Sequence, residues 1–477
     1  MRVALISTLP VLLAAQGPKE IPTTQRDLQG LSVTIYNDNL ALVKDLREIR
    51  LPRGEVQLAF QEVSAQIRPE TALLRNVTDP KGFFVLEQNF DFDLLTPQKL
   101  LEKYVGEKVT VVRSLPNPEG AGARELKEEA VVLATNSGTV LQFADRIETS
   151  PPGRLVFPRV PENLRSRPTL VVSLNSAEAR AQKLELSYLT GGLSWRADYV
   201  ANLSPDEKNV DLSGWVTLTN GSGVAYPNAT LQLVAGDVNR VQEPRRAYAM
   251  QEMAPRAAPA PPQMKEESLF EYHLYTLDRP TTLRAAQTKQ VALLGASGVP
   301  VRKEFLLKGD SYYYQGQYGE LGSKLKVGVF VEFDNRVESR LGMPLPKGTV
   351  RVYKRDAEGR AQFVGEDAVD HTPKNETVRL KLGDSFDLTA RRRQTDYKNL
   401  GRQGRYGTAY ELAFEVELKN AKKEAATVTI LEPIFGDWEI LQQSHPHEKA
   451  AAGTAKFRVP VPAEGSATLG YRVRVRW

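Results

Sequence analysis

Alternation of apolar and polar residues with period two runs through most of this 477-residue chain. Residues 31–60, "LSVTIYNDNLALVKDLREIRLPRGEVQLAF", contain three such segments, separated by turn residues at 37–39 and 52–54. Because successive side chains of an extended strand point to opposite faces, this pattern predicts half-buried β-strands joined by tight turns. The C-terminal "YRVRVRW" shows the same alternation. The sequence therefore predicts an all-β fold with very little helix.

The clearest helix in the sequence is "TPQKLLEKYVG", residues 96–106. Thr96 is a suitable N-cap, Pro97 suits the first turn, and Gly106 can end the helix. The strand-like segments that follow, from "EKVTVV" to "RIET", predict a small β-meander or a small β-barrel-like insert.

Longer strand-like segments begin at residue 169, and their regular spacing predicts several β-sandwich, immunoglobulin-like domains. A Pro-rich stretch, residues 243–268, interrupts them and predicts a flexible excursion within one domain. The predicted division is a signal peptide at 1–16, an N-terminal β domain at 17–95, the helix and small insert at 96–166, the main β-sandwich at 167–404 and a C-terminal immunoglobulin-like domain at 405–477.

The first sixteen residues, "MRVALISTLPVLLAAQ", have the features of a secretory signal peptide. Arg2 gives a positive start, an apolar run extends from Val3 to Ala15, and small residues stand near a plausible cleavage point. A buried first strand is the alternative. The polar segment that follows favours export, so we expect a periplasmic or extracellular protein. No later apolar run is long enough for a membrane span, so no transmembrane segment is expected in the mature chain.

Cysteine is absent, which excludes disulfides, thiolate nucleophiles and zinc–cysteine sites. The formal net charge is +5, and it is concentrated in "RRRQTDYKNLGRQGR", residues 391–405, where five arginines and one lysine accompany one aspartate. Any electrostatic attraction for an anion has to come from that segment.

The stretches "VTIYNDNLALVKDLREIRLP", "YLTGGLSWRADYVANL", "GWVTLTNGSGVAYPNATLQLVAGDVNRV" and "EPIFGDWEIL" carry a family resemblance. They resemble exported, mostly bacterial proteins of the mucoidy-inhibitor-like group, which share the domain of unknown function 4139. The resemblance extends from Val33 to Trp477. It implies an exported β-rich protein, and it implies no catalytic residue and no ligand.

The stretch "LSWRADYV" contains aromatic and charged residues that could form a binding platform. As an extended strand, it places Trp195 and Tyr199 on one face with Arg196 and Asp198 on the other. Apolar residues at period two are typical of a core face, so we interpret this stretch as a core strand. Arg196 and Asp198 can pair with each other or across to a neighbouring strand.

The acidic stretch "GEDAVDHTPKNE" is the best candidate for chemistry. Glu366, Asp367, Asp370 and His371 could bind a hard cation, or His371 could act as a general base. The stretch lacks the spacing and the glycine of a calcium loop, so a polar hairpin is the alternative. In "SHPHEK", His445 and His447 could both reach one metal ion, but a stable site needs further ligands, so exposed loop histidines are the alternative.

The basic run combines cationic side chains with tyrosines, which could bind anionic lipid headgroups or acidic polysaccharide. Its candidate residues are Arg391, Arg392, Arg393, Lys398, Arg402 and Arg405. Export argues against nucleic acid as a partner, and the glycines nearby favour a mobile, solvated loop over a specific anion site. The tyrosines of "SYYYQGQYG", residues 311–319, could likewise contact sugars.

No HExxH, GxxxxGK[ST], GxSxG or GxGxxG motif is present. The sequence therefore favours a non-enzymatic envelope or surface protein, without a cofactor, whose tandem β domains present loops to a protein, glycan or lipid. The alternative is an exported, metal-dependent hydrolase that uses the stretch 366–376.

Overall fold

A computed structural model describes residues 20–477 except 38, 92, 117–122, 137, 151–152, 162–163, 237–238, 240–263 and 405. The predicted signal peptide and most of the Pro-rich stretch lie outside the described residues, although residues 264–268 belong to a strand. Strands make up 68% of the chain and helices 4%, which confirms the all-β prediction. Among the described residues, no helix is both long and apolar enough to cross a membrane.

The strands of the N-terminal half are, in chain order, β1 (Glu20–Thr23), β2 (Leu28–Tyr36), β3 (Leu40–Leu51), β4 (Gly54–Gln61), β5 (Leu73–Asn76), β6 (Phe83–Asp91), β7 (Lys108–Pro116), β8 (Ala123–Ala134), β9 (Val140–Gln142), β10 (Ile147–Thr149), β11 (Arg154–Val156), β12 (Thr169–Ser176), β13 (Arg180–Thr190), β14 (Leu193–Leu203), β15 (Asn209–Asn220) and β16 (Tyr226–Ala235).

The strands that follow are β17 (Met264–Leu269), β18 (Tyr272–Leu277), β19 (Thr281–Leu283), β20 (Gln287–Lys308), β21 (Glu320–Asp334), β22 (Gly348–Arg355), β23 (Ala361–Val369), β24 (Thr377–Gln403), β25 (Tyr406–Asn420), β26 (Ala426–Pro433), β27 (Asp437–Gln443), β28 (His447–Ala451), β29 (Thr454–Val461) and β30 (Gly465–Arg476). Short 3₁₀ helices lie at Gln25–Asp27, Pro69–Thr71 and Ser311–Tyr314.

The predicted helix is confirmed as α1 (Pro97–Lys103). The Thr96 hydroxyl accepts a hydrogen bond from the Lys99 backbone N–H at 3.1 Å, which is an N-cap contact. Gly106 follows the helix with φ of 87°, a conformation that glycine adopts without steric strain.

The chain divides into two compact units. Unit 1 comprises the described residues of Met1–Ser194 together with Leu218–Val234 and Arg279–Lys289. Unit 2 comprises the described residues of Trp195–Thr217, Ala235–Asp278 and Gln290–Trp477. The finer division into five segments stays a prediction.

Unit 1 contains a four-stranded sheet of order β1-β4-β12-β6 and a second sheet in which β16, β2, β3, β13 and β5 are successive neighbours. Buried and less buried residues alternate along β3, as the period-two pattern predicts. The strands after α1 form a separate sheet of order β10-β9-β8-β7-β11. Because β10 and β11 are not paired with each other in the described part of the chain, this sheet is an open meander and not a closed barrel.

Unit 2 is built on one long sheet of order β23-β22-β14-β15-β20-β21-β24-β25-β30-β27. Beside it, β26 pairs with β20 and β29, and β28 pairs with β29. Phe414, Phe457 and Val473 belong to a large cluster of buried residues contributed by these strands. The basic residues 391–403 lie within β24, so the expectation of a solvated loop there is wrong.

One strand-and-turn pattern occurs three times in the chain. The segments "VTLTN", "VEFDN" and "VELKN" end at Asn220, Asn335 and Asn420, and each is followed by a strand that contains "ATLQL", "GTVRV" or "ATVTI". These following strands are β16, β22 and β26. Each pairs in parallel with an earlier strand, namely β2, β14 and β20 respectively. The repetition indicates three related β modules.

The three asparagines are buried and make matching hydrogen bonds. Asn220 Nδ2 donates to the carbonyl oxygens of Val224 and Arg284, both at 2.9 Å. Asn420 Nδ2 donates to those of Glu424 and Pro462, also at 2.9 Å. Asn335 likewise donates to two backbone carbonyls. In each module one side-chain amide therefore satisfies carbonyl groups that would otherwise be buried without a partner.

Candidate binding groove

The stretch "LSWRADYV" is a core strand, as the sequence predicts. Trp195 and Tyr199 are buried at 4% and 1% exposure. Asp198 is also buried, and its carboxylate accepts hydrogen bonds from Thr217 Oγ1 at 2.6 Å and from Arg351 Nη1 at 3.1 Å. Arg196 Nε lies 3.3 Å from the same carboxylate, so both predicted kinds of pairing are present. These contacts commit the charged groups of Arg196 and Asp198 to other protein groups.

The acidic stretch begins on β23, where Glu366 and Asp367 are sequence neighbours. Glu366 Oε2 lies 3.2 Å from Arg351 Nε. Asp367 Oδ2 instead accepts a hydrogen bond from the backbone N–H of Lys381 at 2.7 Å. The two carboxylates therefore contact groups on different strands, β22 and β24, and do not act as a pair.

Asp370 and His371 follow the end of β23. Asp370 is exposed, and His371 Nδ1 accepts a hydrogen bond from the Lys347 backbone N–H at 3.2 Å. Among the described residues, no group of three or more histidine, aspartate or glutamate side chains is placed to hold a metal ion. Within the described residues, the acidic stretch therefore does not form the metal-binding cluster that the hydrolase alternative requires.

The two histidines near the C-terminus contact different partners. His445 Nδ1 lies 2.9 Å from Ser444 Oγ, and His447 Nδ1 lies 2.7 Å from Gln443 Oε1. Each Nδ1 therefore has a protein partner, and the histidine metal site stays a prediction.

The basic run lies opposite carboxylates from neighbouring strands. Arg391 Nη2 is 2.7 Å from Glu320 Oε2 on β21, and Arg393 Nη2 is 2.9 Å from Glu415 Oε1 on β25. The hydrogen bond between Arg391 and Glu320 lowers the pKa of the Glu320 carboxyl group and raises the pKa of the Arg391 guanidinium. These cross-strand pairs neutralise the charges that the sequence suggested for anion binding.

Arg392 points to the opposite face of β24 and is completely buried with Glu432. Arg392 Nη1 donates a hydrogen bond to Glu432 Oε2 at 2.9 Å. Arg392 Nη2 lies 2.8 Å from Glu432 Oε1, but the geometry of this contact does not form a hydrogen bond. Tyr314 OH donates to the same carboxylate at 2.8 Å and lies 2.8 Å from Tyr471 OH. Arg392 is therefore part of the core and out of reach of a surface anion.

The remaining basic candidates differ from one another. Lys398 Nζ lies 4.0 Å from Asp396 Oδ2, at the limit of an ion pair. Arg402 is exposed, and Arg405 lies outside the described residues. Nearby, Tyr312 and Tyr318 are 43% and 38% exposed and contact each other edge to face, with ring centroids 5.6 Å apart.

A cavity of about 420 Å³ in unit 2, the polar cavity, lies where β14, β15, β20 and β22 come together. Its uncharged polar lining side chains are Asn202, Ser204, Asn209, Ser213, Ser297 and Tyr353, and its charged ones are Asp211, Lys354 and Arg355. In the parallel ladder of β14 and β22, Asn202 is directly opposite Tyr353. Amides and hydroxyls can both donate and accept hydrogen bonds, so this lining suits a ligand rich in hydroxyl groups.

Some polar groups of this cavity already have protein partners. Asp211 Oδ1 accepts from the Gly298 backbone N–H at 2.8 Å, and Ser204 Oγ donates to Asp206 at 2.6 Å. In contrast, the side chains of Asn202 and Ser297 are exposed and make no hydrogen bond with any other described residue. These two side chains are free to bind a ligand.

A second cavity of about 200 Å³, the apolar groove, is lined by Leu203, Val329, Val331, Val364 and Leu382. These residues come from β14, β21, β23 and β24. Lys303, Lys354, Glu207 and Asp384 complete its lining together with Gly383. The groove thus has apolar walls and a charged rim.

The Glu207 carboxylate joins the two lysines of this rim. Its Oε1 accepts a hydrogen bond from Lys354 Nζ at 2.5 Å, and Oε2 accepts one from Lys303. Burial opposes ionisation of Glu207, but these lysines outweigh it and lower the pKa of its carboxyl group. Glu207 is therefore ionised at neutral pH and compensates much of the lysine charge.

Neither cavity was predicted from the sequence. The polar cavity combines residues near 202–213, 295–297 and 353–355, and no local spacing links these segments. The repeated "GTVRV" is the signal that could have helped, because its likeness to "ATLQL" marks β22 as a strand that pairs in parallel with an earlier one.

The fold and the two cavities define an all-β protein of sandwich-like modules with a lined groove in its second unit. The chain belongs to the family whose common part is described as "Domain of unknown function (DUF4139)", which matches residues 184–477. This confirms the family resemblance over residues 184–477. The matched range includes every residue that lines the two cavities. A comparison with curated proteins finds no match to the chain.

Proposed function

We propose that this protein is an exported, non-enzymatic protein of the bacterial envelope or cell surface that binds a glycan in the polar cavity. The observation that carries the proposal is the lining of that cavity, in which Asn202 and Ser297 have no partner among the described residues. Sugar hydroxyls can donate to and accept from both side chains. The ring of Tyr353 adds an aromatic surface, which is suited to the apolar face of a sugar.

Binding is favoured over hydrolysis by the acidic groups of the cavity. Glycoside hydrolases generally use two carboxyl groups on opposite sides of the scissile bond. Among the described residues that line the polar cavity, Asp211 is the single carboxylate, and it already accepts a backbone hydrogen bond. Such a lining supports recognition of a glycan and offers no acid–base pair to cleave it.

The glycan proposal is tested by calorimetric titration of the full chain with maltohexaose, cellohexaose and chitohexaose. We expect at least one to bind. We also expect the double variant Asn202→Ala/Ser297→Ala to bind it at least tenfold more weakly, since two hydrogen-bonding groups are lost. The matched control is Asn89→Ala/Ser187→Ala in unit 1, which should bind as the unchanged chain does. Absence of binding by all three sugars, or equal losses in both double variants, would overturn the proposal.

Export is supported by the pattern of residues 1–16 and is tested separately. The full chain with a C-terminal tag is expressed in a bacterial host, and the periplasmic fraction is analysed by intact-protein mass spectrometry. We expect a periplasmic product shortened at its N-terminus, and we expect Leu12→Arg to retain the full-length chain in the cytoplasm because a charge disrupts the apolar region. A full-length product that stays in the cytoplasm without this substitution would refute export.

A further inference from the structure

The polar cavity and the apolar groove are adjacent. Leu203 and Lys354 line both of them. Leu203 is the last residue of β14, and it is paired with Lys354 of β22 in the parallel ladder. The two cavities therefore share a border at the ends of β14 and β22. Because the Asn202–Tyr353 and Leu203–Lys354 pairs face opposite sides of this ladder, a chain attached to a ligand in the polar cavity would enter the apolar groove by passing the strand ends.

The walls of the groove suit a hydrocarbon chain. Val329, Val331, Val364 and Leu382 present only aliphatic carbon, and Val364 is 38% exposed. Leu203 and Val331 are buried, so the aliphatic surface open to water comes from Val364 and, in part, from Val329 and Leu382. Covering that surface with a ligand chain is favourable. The long side chain of Lys354 adds methylene groups to the wall while its ammonium group stays in its ion pair with Glu207.

The charges at the rim indicate what kind of headgroup is compatible with the groove. Lys303 and Lys354 both donate hydrogen bonds to the Glu207 carboxylate. The Asp384 carboxylate lies 3.8 Å from the ammonium group of Lys326 and 3.7 Å from that of Lys381. Among the described residues that line the groove, each ammonium group therefore has a carboxylate partner. The groove is thus more complementary to an uncharged chain than to an anionic one. In the polar cavity, Arg355 Nη1 donates to the Gly359 carbonyl at 2.7 Å.

We propose that the two cavities form one site for a glycolipid-like amphiphile, with its saccharide in the polar cavity and its alkyl or acyl chain in the apolar groove. This inference rests on the proposed glycan binding and adds the ligand class to it. It accounts for the contrast between the two linings and for their common border at Leu203 and Lys354.

The test uses alkyl glycosides of the sugar that binds in the calorimetric screen: maltosides for maltohexaose, cellobiosides for cellohexaose and chitobiosides for chitohexaose. Hexyl, octyl and decyl glycosides are titrated below their micelle concentrations, with the chain-free disaccharide as reference. Each methylene that is buried should tighten binding by up to about fourfold, which corresponds to about 0.8 kcal/mol, until the groove is full. An affinity that does not change with chain length would overturn the inference and leave glycan binding intact.

The variant Val364→Asp places a charge in the groove without touching the polar cavity. We expect it to remove most of the dependence on chain length while the affinity for the free disaccharide stays within about twofold. The matched control is Val337→Asp, because Val337 is 72% exposed and lines neither cavity. Equal effects of the two substitutions would overturn the assignment of the groove. Octyltrimethylammonium that binds as tightly as the octyl glycoside would also overturn the combined site.

Discussion

Two polar regions of unit 2 differ in how their side chains are satisfied. In the basic segment of β24, Arg391, Arg392 and Arg393 each pair with a carboxylate from another strand. At the polar cavity, Asn202 and Ser297 have no hydrogen-bond partner within the described part of the chain. The first region is much more charged, yet the second has more capacity left for a ligand. The comparison teaches that a dense run of charge can be committed largely to ion pairs within the fold, so charge density alone is a poor guide to a ligand site.

The largest effect on the stability of unit 2 is expected from the buried ion pair between Arg392 and Glu432. Glu432→Leu leaves the guanidinium of Arg392 buried without a counter-charge and should destabilise unit 2 by about 3–5 kcal/mol. All four tryptophans of the chain lie in unit 2, so urea unfolding followed by tryptophan fluorescence measures this unit.

The control is the double variant Arg392→Met/Glu432→Leu, which removes both charges. It should recover most of the lost stability because no buried charge remains unpaired. A loss below about 1 kcal/mol for Glu432→Leu alone would show that Arg392 does not depend on this partner.

The next largest effect is a loss of stability of unit 2 at high pH. Burial raises the pKa values of Tyr314 and Tyr471 well above the ordinary 10.0. Both phenols stay neutral in the folded protein but ionise in the unfolded chain, so their contribution to stability is complete below pH 10 and is lost as the pH rises further. Each can change the free energy of unfolding by up to about 1.4 kcal/mol per pH unit.

We expect the urea midpoint of unit 2 to fall between about pH 10 and pH 11.5, and we expect Tyr314→Phe/Tyr471→Phe to show a shallower fall. Tyrosinate absorbance is measured on the same samples. Full ionisation of all tyrosines while unit 2 remains folded would contradict the burial of these phenols.

A smaller effect is expected from the exposed pairs of the same segment. Arg393→Gln removes a surface ion pair with Glu415 and should change the free energy of unfolding by less than about 1 kcal/mol. Because the arginine is already paired, the variant should also elute from a heparin column close to the unchanged chain. Arg402→Gln is the comparison, since Arg402 is exposed. A large loss of heparin retention with Arg393→Gln alone would restore the anion-binding hypothesis.

The smallest effect belongs to Asp334, which accepts hydrogen bonds from Arg302 and from Thr377 Oγ1 at 2.7 Å. The hydrogen bond from Arg302 is the main cause that lowers the pKa of this carboxyl to about 2. Its contribution to stability is present above pH 4 and is lost as the pH falls towards 2. NMR titration of the carboxyl carbon should show this midpoint, and Asp334→Asn should be less sensitive to acid. A midpoint near 3.8 would show that the pair is not formed in solution.

The fold was more predictable than the site because strands and helices leave local patterns. Alternation identified β14 and the burial of Trp195, and the Thr96–Pro97 pair identified α1. The basic segment was interpreted as a loop because its glutamate partners lie on other strands, far away in sequence. The polar cavity was missed for the same reason, since Asn202 and Tyr353 become neighbours only through the parallel pairing of β14 with β22.

Hydrogen–deuterium exchange of the full chain, with and without a saturating oligosaccharide from the calorimetric screen, tests the central claim most directly. We predict that the sugar slows exchange in peptides that contain Asn202–Leu212, Gly295–Ser297 and Tyr353–Arg355, which line the polar cavity. Peptides that cover residues 391–403 should exchange at unchanged rates. Protection at 391–403 without protection at the cavity would contradict the account and would return the binding function to the basic segment.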